Sequence, residues 1–172
     1  MKLQFESLNS SYDYSEFDCG NEALNQFLIK RAKVEEAQRL SKTKVARNEN
    51  NEIVGFYTIA PAVIAKNCLE SSEGRGVPYS EIPAIRIGRL AVNKRHQKSG
   101  MGKAILKDAL LCCLKLSNQI GGRVVLVDAK DNEAVFFYTK FGFKTIKQNP
   151  LILVLKISTI EKAFQMESNS SA

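Results

Sequence analysis

The stretch Gln97-Lys98-Ser99-Gly100-Met101-Gly102 constrains the fold most, because of what lies on each side of it. Ahead of it, Ile85 to Val92 is an apolar run of strand length. Behind it, the pattern from Lys103 to Leu116 sets Ile105, Ala109, Cys112 and Leu116 on one helical face. A strand, a short glycine-bearing turn and a helix expose backbone N–H groups at a helix N-terminus, where a phosphate can be held. Gly100 and Gly102 allow close approach of the anion, and Lys94, Arg95 and Lys98 add positive charge. A helix in this position also serves as the crossover to a parallel strand, and Arg123 to Ala129 supplies that strand.

Around this centre the pattern predicts a first strand near Leu3 to Leu8 and a helix from Asn21 to Val34 capped by Asp18. A short second helix follows over Glu35 to Leu40. Lys44 to Arg47 and Ile53 to Ile59 flank the turn Asn48-Glu49-Asn50-Asn51 and read as a hairpin. Residues 67 to 83 form the longest expected loop. A helix over Asn132 to Lys140 and a closing hairpin, Phe143 to Lys147 with Leu151 to Ile157, complete an α+β chain. Residues 165 to 172 read as a frayed tail of a single domain, 1 to 172.

The second informative segment is Ala134-Val135-Phe136-Phe137-Tyr138-Thr139-Lys140-Phe141-Gly142-Phe143. With Gln97, Gly100 and Gly102 it resembles the GCN5-related N-acetyltransferase (GNAT) superfamily. Those enzymes bind acetyl-CoA through a Q/R-x-x-G-x-G/A turn and carry an A-x-x-F/L-Y-x-x-x-GF element. Phe17-Asp18-Cys19-Gly20, Val54-Gly55-Phe56-Tyr57-Thr58 and Gly88-Arg89-Leu90-Ala91-Val92 resemble, more narrowly, the tRNA-acetylating toxins of type II toxin–antitoxin systems. The resemblance spans residues 3 to 157. It implies the GNAT fold, a mixed and mostly antiparallel sheet with a splayed central parallel strand pair, flanked by helices.

It also implies a set of sites. Lys98, Ser99, Gly100, Met101, Gly102 and Lys103, with Gln97, would hold the pyrophosphate of acetyl-CoA. Main-chain groups of Leu90, Ala91 and Val92 would pair with the pantetheine arm, a backbone N–H near Val92 serving the oxyanion. Phe137 and either Asp131 or Asn132 would complete the cofactor contacts. This chain has Asp131 where family members often carry Asn. Tyr138 would be the general acid for the departing thiolate. An unperturbed tyrosine is a weaker acid than a thiol, so the transfer is uphill by up to about 2 kcal/mol, within reach of a positioned acid. Without the resemblance, Tyr138 reads as core, since Ala134, Phe137, Tyr138 and Phe141 form a helical stripe.

The acceptor is approached through charge and chemistry. The chain carries 25 Lys and Arg against 18 Asp and Glu, a net charge of +7, which suits either a polyanionic partner or a solvated basic surface. No general base stands out, and His96 sits beside the phosphate turn rather than in a base position. A lysine amine near 10.4 would need a base at neutral pH, whereas an α-amine near 7.7–8.0 is already partly neutral. The resemblance then implies aminoacyl-tRNA as acceptor, met by Arg89 and Arg86 on one face of the strand, and by Lys33 and Lys94. It implies a small ribbon-helix-helix antitoxin and a homodimer as well. A protein N-terminal or small-amine (polyamine-like) N-acetyltransferase stays open as the alternative. Four cysteines without a C-x-x-C and a lone histidine argue against a metal site. The expectation is a cytoplasmic protein with no membrane span and no signal segment.

Overall fold

In the computed structural model, which describes residues 1–170, β-branched and aromatic runs form seven strands. They are β1 (Gln4–Ser7), β2 (Lys42–Arg47), β3 (Ile53–Ala65), β4 (Glu81–Val92), β5 (Val124–Asp128), β6 (Lys144–Thr145) and β7 (Ile152–Lys156). They join in one sheet of order β1-β2-β3-β4-β5-β7-β6. The pairs β1–β2, β2–β3, β5–β7 and β6–β7 are antiparallel, while β4 and β5 are parallel. This is the expected mixed, mostly antiparallel sheet. Helices α1 (Glu22–Gln26), α2 (Ala32–Ala37), α3 (Ser71–Gly74), α4 (Met101–Ile120), α5 (Asn132–Thr139) and α6 (Ile157–Ser170) flank it.

The chain forms two compact units, Met1–Ala60 with Gly88–Ala109, and Pro61–Ile87 with Leu110–Ala172. In the first, Phe17, Phe27 and Phe56 meet at the centre of a core with Leu28, Val45 and Ala91. Phe56 takes Phe17 edge-on at 5.5 Å and stacks with Phe27 at 5.8 Å. Each such aromatic contact adds about 0.5–1.5 kcal/mol to area burial. In the second unit Ile64, Ile82, Val124, Leu126, Ile146 and Val154 pack together.

Local chemistry departs from expectation in four places. Asn21, not Asp18, caps α1, its side-chain oxygen accepting from the Leu24 N–H at 3.1 Å. The two expected helices are one continuous run, α1 and α2 joined by a π turn over Phe27–Arg31 in which the Ala32 N–H reaches the Phe27 carbonyl. The long loop is partly ordered by a 3₁₀ turn at Lys66–Cys68 and by α3, and Arg123 donates to the carbonyls of Glu73 and Arg75 at 3.2 and 3.0 Å. The expected tail is helical through Ser170: Ile157, Ile160 and Phe164 recur at helical spacing, and Ile160 is buried. Residues 171 and 172 of that expected tail lie outside the described residues.

Candidate active site

The turn after β4 lies in the first unit. Asn93 starts a 3₁₀ turn over Lys94–His96 by accepting from the Arg95 N–H. Lys98 (φ 58°) and Gly100 (φ 84°) are then left-handed, and α4 begins at Met101. The left-handed value favours glycine at Gly100, where a side chain would otherwise be strained. The Ala104 N–H bonds the Gly100 carbonyl at 3.2 Å, so the N–H groups of Met101, Gly102 and Lys103 head the helix, as the first turn of any α-helix requires. Lys98 and Lys103 are exposed beside them. A pyrophosphate fits this arrangement of N–H groups, helix N-terminus and cations.

The Gln97 side chain is bonded within the fold. Its amide donates to the carbonyls of Val92 at 2.9 Å and Cys19 at 2.8 Å, tying the end of β4 to the loop before α1. Ser99 donates its hydroxyl to the His96 carbonyl at 2.5 Å and closes the turn. The parallel register of β4 with β5 ends at Ile87↔Val127, and β4 continues through Leu90, Ala91 and Val92 beyond that point. That is the strand segment expected to meet a pantetheine arm.

Tyr138 lies in the second unit, on α5. Asp131 caps this helix, its Oδ1 accepting from the Ala134 N–H at 2.8 Å, and its Oδ2 lies 3.7 Å from Lys130 Nζ. The residue that departs from the family pattern therefore has a local structural use. Asn132 follows as the first helical residue and is exposed. The Tyr138 ring is buried, edge-on to Phe137 at 5.2 Å and to Phe143 at 5.6 Å, while Phe137 also meets Phe141 at 5.1 Å. Gly142, at φ 89°, turns the chain so that Phe143 returns to that ring. Burial raises the Tyr138 hydroxyl above the ordinary tyrosine range, and the Asp128 carboxylate pushes it the same way. Asp128 escaped the sequence analysis; its one signal is its place as the last residue of β5.

The four candidate cations occupy different surroundings. Arg89 is held by Glu35, Nη1 to Oε2 at 3.3 Å and Nη2 to Oε1 at 3.4 Å, with its guanidinium carbon 3.7 Å above the Phe27 ring. Arg86 makes an ion pair with Asp128, Nε to Oδ2 at 3.4 Å, without the angle of a hydrogen bond. Lys94 bonds Asp18 at 2.7 Å; that ammonium, with the Gly20 N–H and the Asn25 amide, holds the Asp18 carboxyl down to about 2. Lys33 is exposed on α2. His96 is half-buried against Glu52 at 3.7 Å and lines a cavity of about 180 Å³ with Asp13, Glu16 and Arg95. Among the described residues, no group of three or more His, Cys, Asp and Glu is placed to hold a metal ion. No described helix is long and apolar enough to cross a membrane.

The model of the acetyltransferase (GNAT) domain matches residues 12–151. A tRNA-acetylating toxin of Mycobacterium tuberculosis (strain ATCC 25618 / H37Rv) is 32% identical over 148 residues, 86% of this chain and 88% of that one. AtaT, solved in complex with acetyl-methionyl-tRNAfMet, superposes with a TM-score of 0.87 at 27% identity, covering 95% of this chain and 99% of that one. A tyrosine-to-phenylalanine mutant of AtaT bound to the C-terminus of the antitoxin AtaR gives 0.80 at 26% identity, over 94% and 98%. The chain belongs to the GNAT acetyltransferase domain family and is an N-acetyltransferase with the fold of these toxins.

Proposed function

We propose that the protein, working as a single acetyltransferase domain on residues 1 to 172, moves an acetyl group from acetyl-CoA to the α-amine of an aminoacyl-tRNA and so blocks translation. The turn after β4 carries the donor side of this reading. Gln97 fixes the turn to the end of β4, and the N–H groups of Met101, Gly102 and Lys103 receive the pyrophosphate with Lys98, Ser99 and Gly100. Leu90, Ala91 and Val92 offer main-chain groups to the pantetheine arm, Phe137 packs beside it, and Asn132, exposed, supplies the polar contact that Asp131 as a cap does not. Likeness to AtaT over 95% of the chain supports the acceptor.

Acetyl-CoA supplies a thioester, whose C–S bond breaks as the acceptor nitrogen bonds the acetyl carbon. A backbone N–H near Val92 stabilises the negative charge that develops on the carbonyl oxygen. Tyr138 gives its hydroxyl proton to the departing sulfur and recovers one from the proton shed by the amine. Burial keeps Tyr138 fully protonated at neutral pH, so the acid form is always present. An α-amine near 7.7–8.0 loses its proton without a dedicated base.

The likeness to AtaT bound to the antitoxin AtaR supports a partner antitoxin, which we take to be of ribbon-helix-helix type, with the enzyme acting as a cytoplasmic homodimer. Induced expression tests the toxin reading. Growth and protein synthesis stop with the natural chain and continue with Tyr138→Phe; unchanged growth with soluble, active enzyme contradicts it.

A further inference from the structure

Two guanidinium groups meet on one covered carboxylate in the first unit. Glu35 Oε1 takes Arg31 Nη2 at 3.4 Å and Arg89 Nη2 at 3.4 Å, while Oε2 takes Arg89 Nη1 at 3.3 Å and the Ser41 hydroxyl at 3.0 Å. The Glu35 side chain is 12% exposed, against 69% for Arg31 and 30% for Arg89. The carboxylate thus lies beneath two cations that face outward from it. Bringing two arginines together is unfavourable unless an anion offsets them, and one carboxylate offsets only one charge. A net positive charge remains at a fixed place.

We propose that Arg31 and Arg89 form a binding site for a phosphodiester of the RNA acceptor, with Glu35 as the positioning residue; this rests on the acceptor assigned above. A guanidinium has five N–H donors. Arg89 spends two on Glu35 and Arg31 spends one, so each keeps donors in its plane for phosphate oxygens. Arg89 cannot swing freely, because its face lies 3.7 Å above the Phe27 ring, itself 2% exposed. Arg31 closes the π turn that begins at Phe27, a distortion frequent at functional sites. A carboxylate that served only to neutralise Arg89 would have no use for a second, exposed arginine on the same oxygen. Planar forked donors at a preset spacing suit phosphate oxygens better than a lone ammonium does.

The test is binding of uncharged tRNA to the full chain by fluorescence anisotropy across a salt series, beside the KM for acetyl-CoA. Arg31→Gln, an exposed change, is expected to weaken RNA binding about tenfold and to lower the slope of log affinity against log salt by about 0.7. Glu35→Gln weakens RNA binding while both arginines remain, and Arg89→Lys, which keeps charge but loses the fork, falls between. KM for acetyl-CoA stays unchanged in all three. Natural affinity and slope in Arg31→Gln and Glu35→Gln overturn the site. So does a change confined to KM for acetyl-CoA, which assigns the cluster to holding the fold. If the natural protein binds no tRNA, the acceptor reading itself fails and takes the site with it.

Discussion

Gly55 on β3 lies so close to Ala91 on β4 that a Cβ at Gly55 would stand 2.3 Å from the Ala91 carbonyl oxygen and 2.5 Å from Ile105 Cδ1. The first contact is with backbone and cannot be relieved by a rotamer change. Gly55→Ala must therefore displace the end of β4, the segment assigned to the pantetheine arm. Overpacking of this kind costs about 1–3 kcal/mol. Calorimetry should show Tm lower by about 2 °C or more, with KM for acetyl-CoA raised. An alanine variant with natural Tm and KM contradicts the close approach.

Gln97→Ala removes both bonds that tie the turn to β4 and to the loop at Cys19. The residue is exposed, so water replaces the amide and the stability cost is small, about 1 kcal/mol. The kinetic effect is larger: KM for acetyl-CoA rises several-fold while kcat at saturation holds. A fall in kcat with KM unchanged would move Gln97 from shaping the turn to the chemical step.

Tyr138→Phe keeps the ring among Phe137 and Phe143 and removes only the hydroxyl proposed as the acid. The turnover number should drop by about 10²–10⁴ with KM for acetyl-CoA little changed. The neutral hydroxyl is the working form, and burial raises its pKa. It therefore stays protonated as pH passes the ordinary tyrosine value near 10, and kcat shows no descending limb there. A limb centred near pH 10 that tracks Tyr138 contradicts the buried environment.

Asp18 gives a stability signal at acid pH. Its folded carboxyl is held at about 2, below the 3.8 of a free aspartate, by Lys94 first and then by the Gly20 N–H and Asn25. A lowered folded value means that the unfolded chain binds the proton first. The stabilisation is thus full above about pH 4 and fades as pH falls toward 2. Asp18→Asn should be less stable than the natural chain at pH 7, with the difference shrinking as pH falls through 2 in denaturant melts. A constant difference across that range excludes the pairing with Lys94.

Periodic and turn-rich segments were open to inspection in the sequence. The β2–β3 hairpin follows from Asn48, which bonds the N–H groups of Asn50 and Glu52, and α4 follows from its apolar stripe. The polar end of α6 hid a helix whose inner face is only Ile157, Ile160 and Phe164. Side-chain pairing was the least accessible, because it joins distant residues. Arg89 finds Glu35 across 54 positions and Lys94 finds Asp18 across 76, and no local pattern marks either. Asp131 was ambiguous for a physical reason: the same carboxylate suits a helix cap and a polar cofactor contact, and the sequence does not show the bond its Oδ1 accepts from the Ala134 N–H.

The most direct measurement is transfer of labelled acetyl from acetyl-CoA to charged tRNA, set against uncharged tRNA, peptides and polyamines. The proposed reaction predicts label on the aminoacyl group of charged tRNA alone, lost with Tyr138→Phe and weakened by salt. Label on peptides or polyamines, with none on charged tRNA, would contradict it and leave an acetyltransferase of another acceptor.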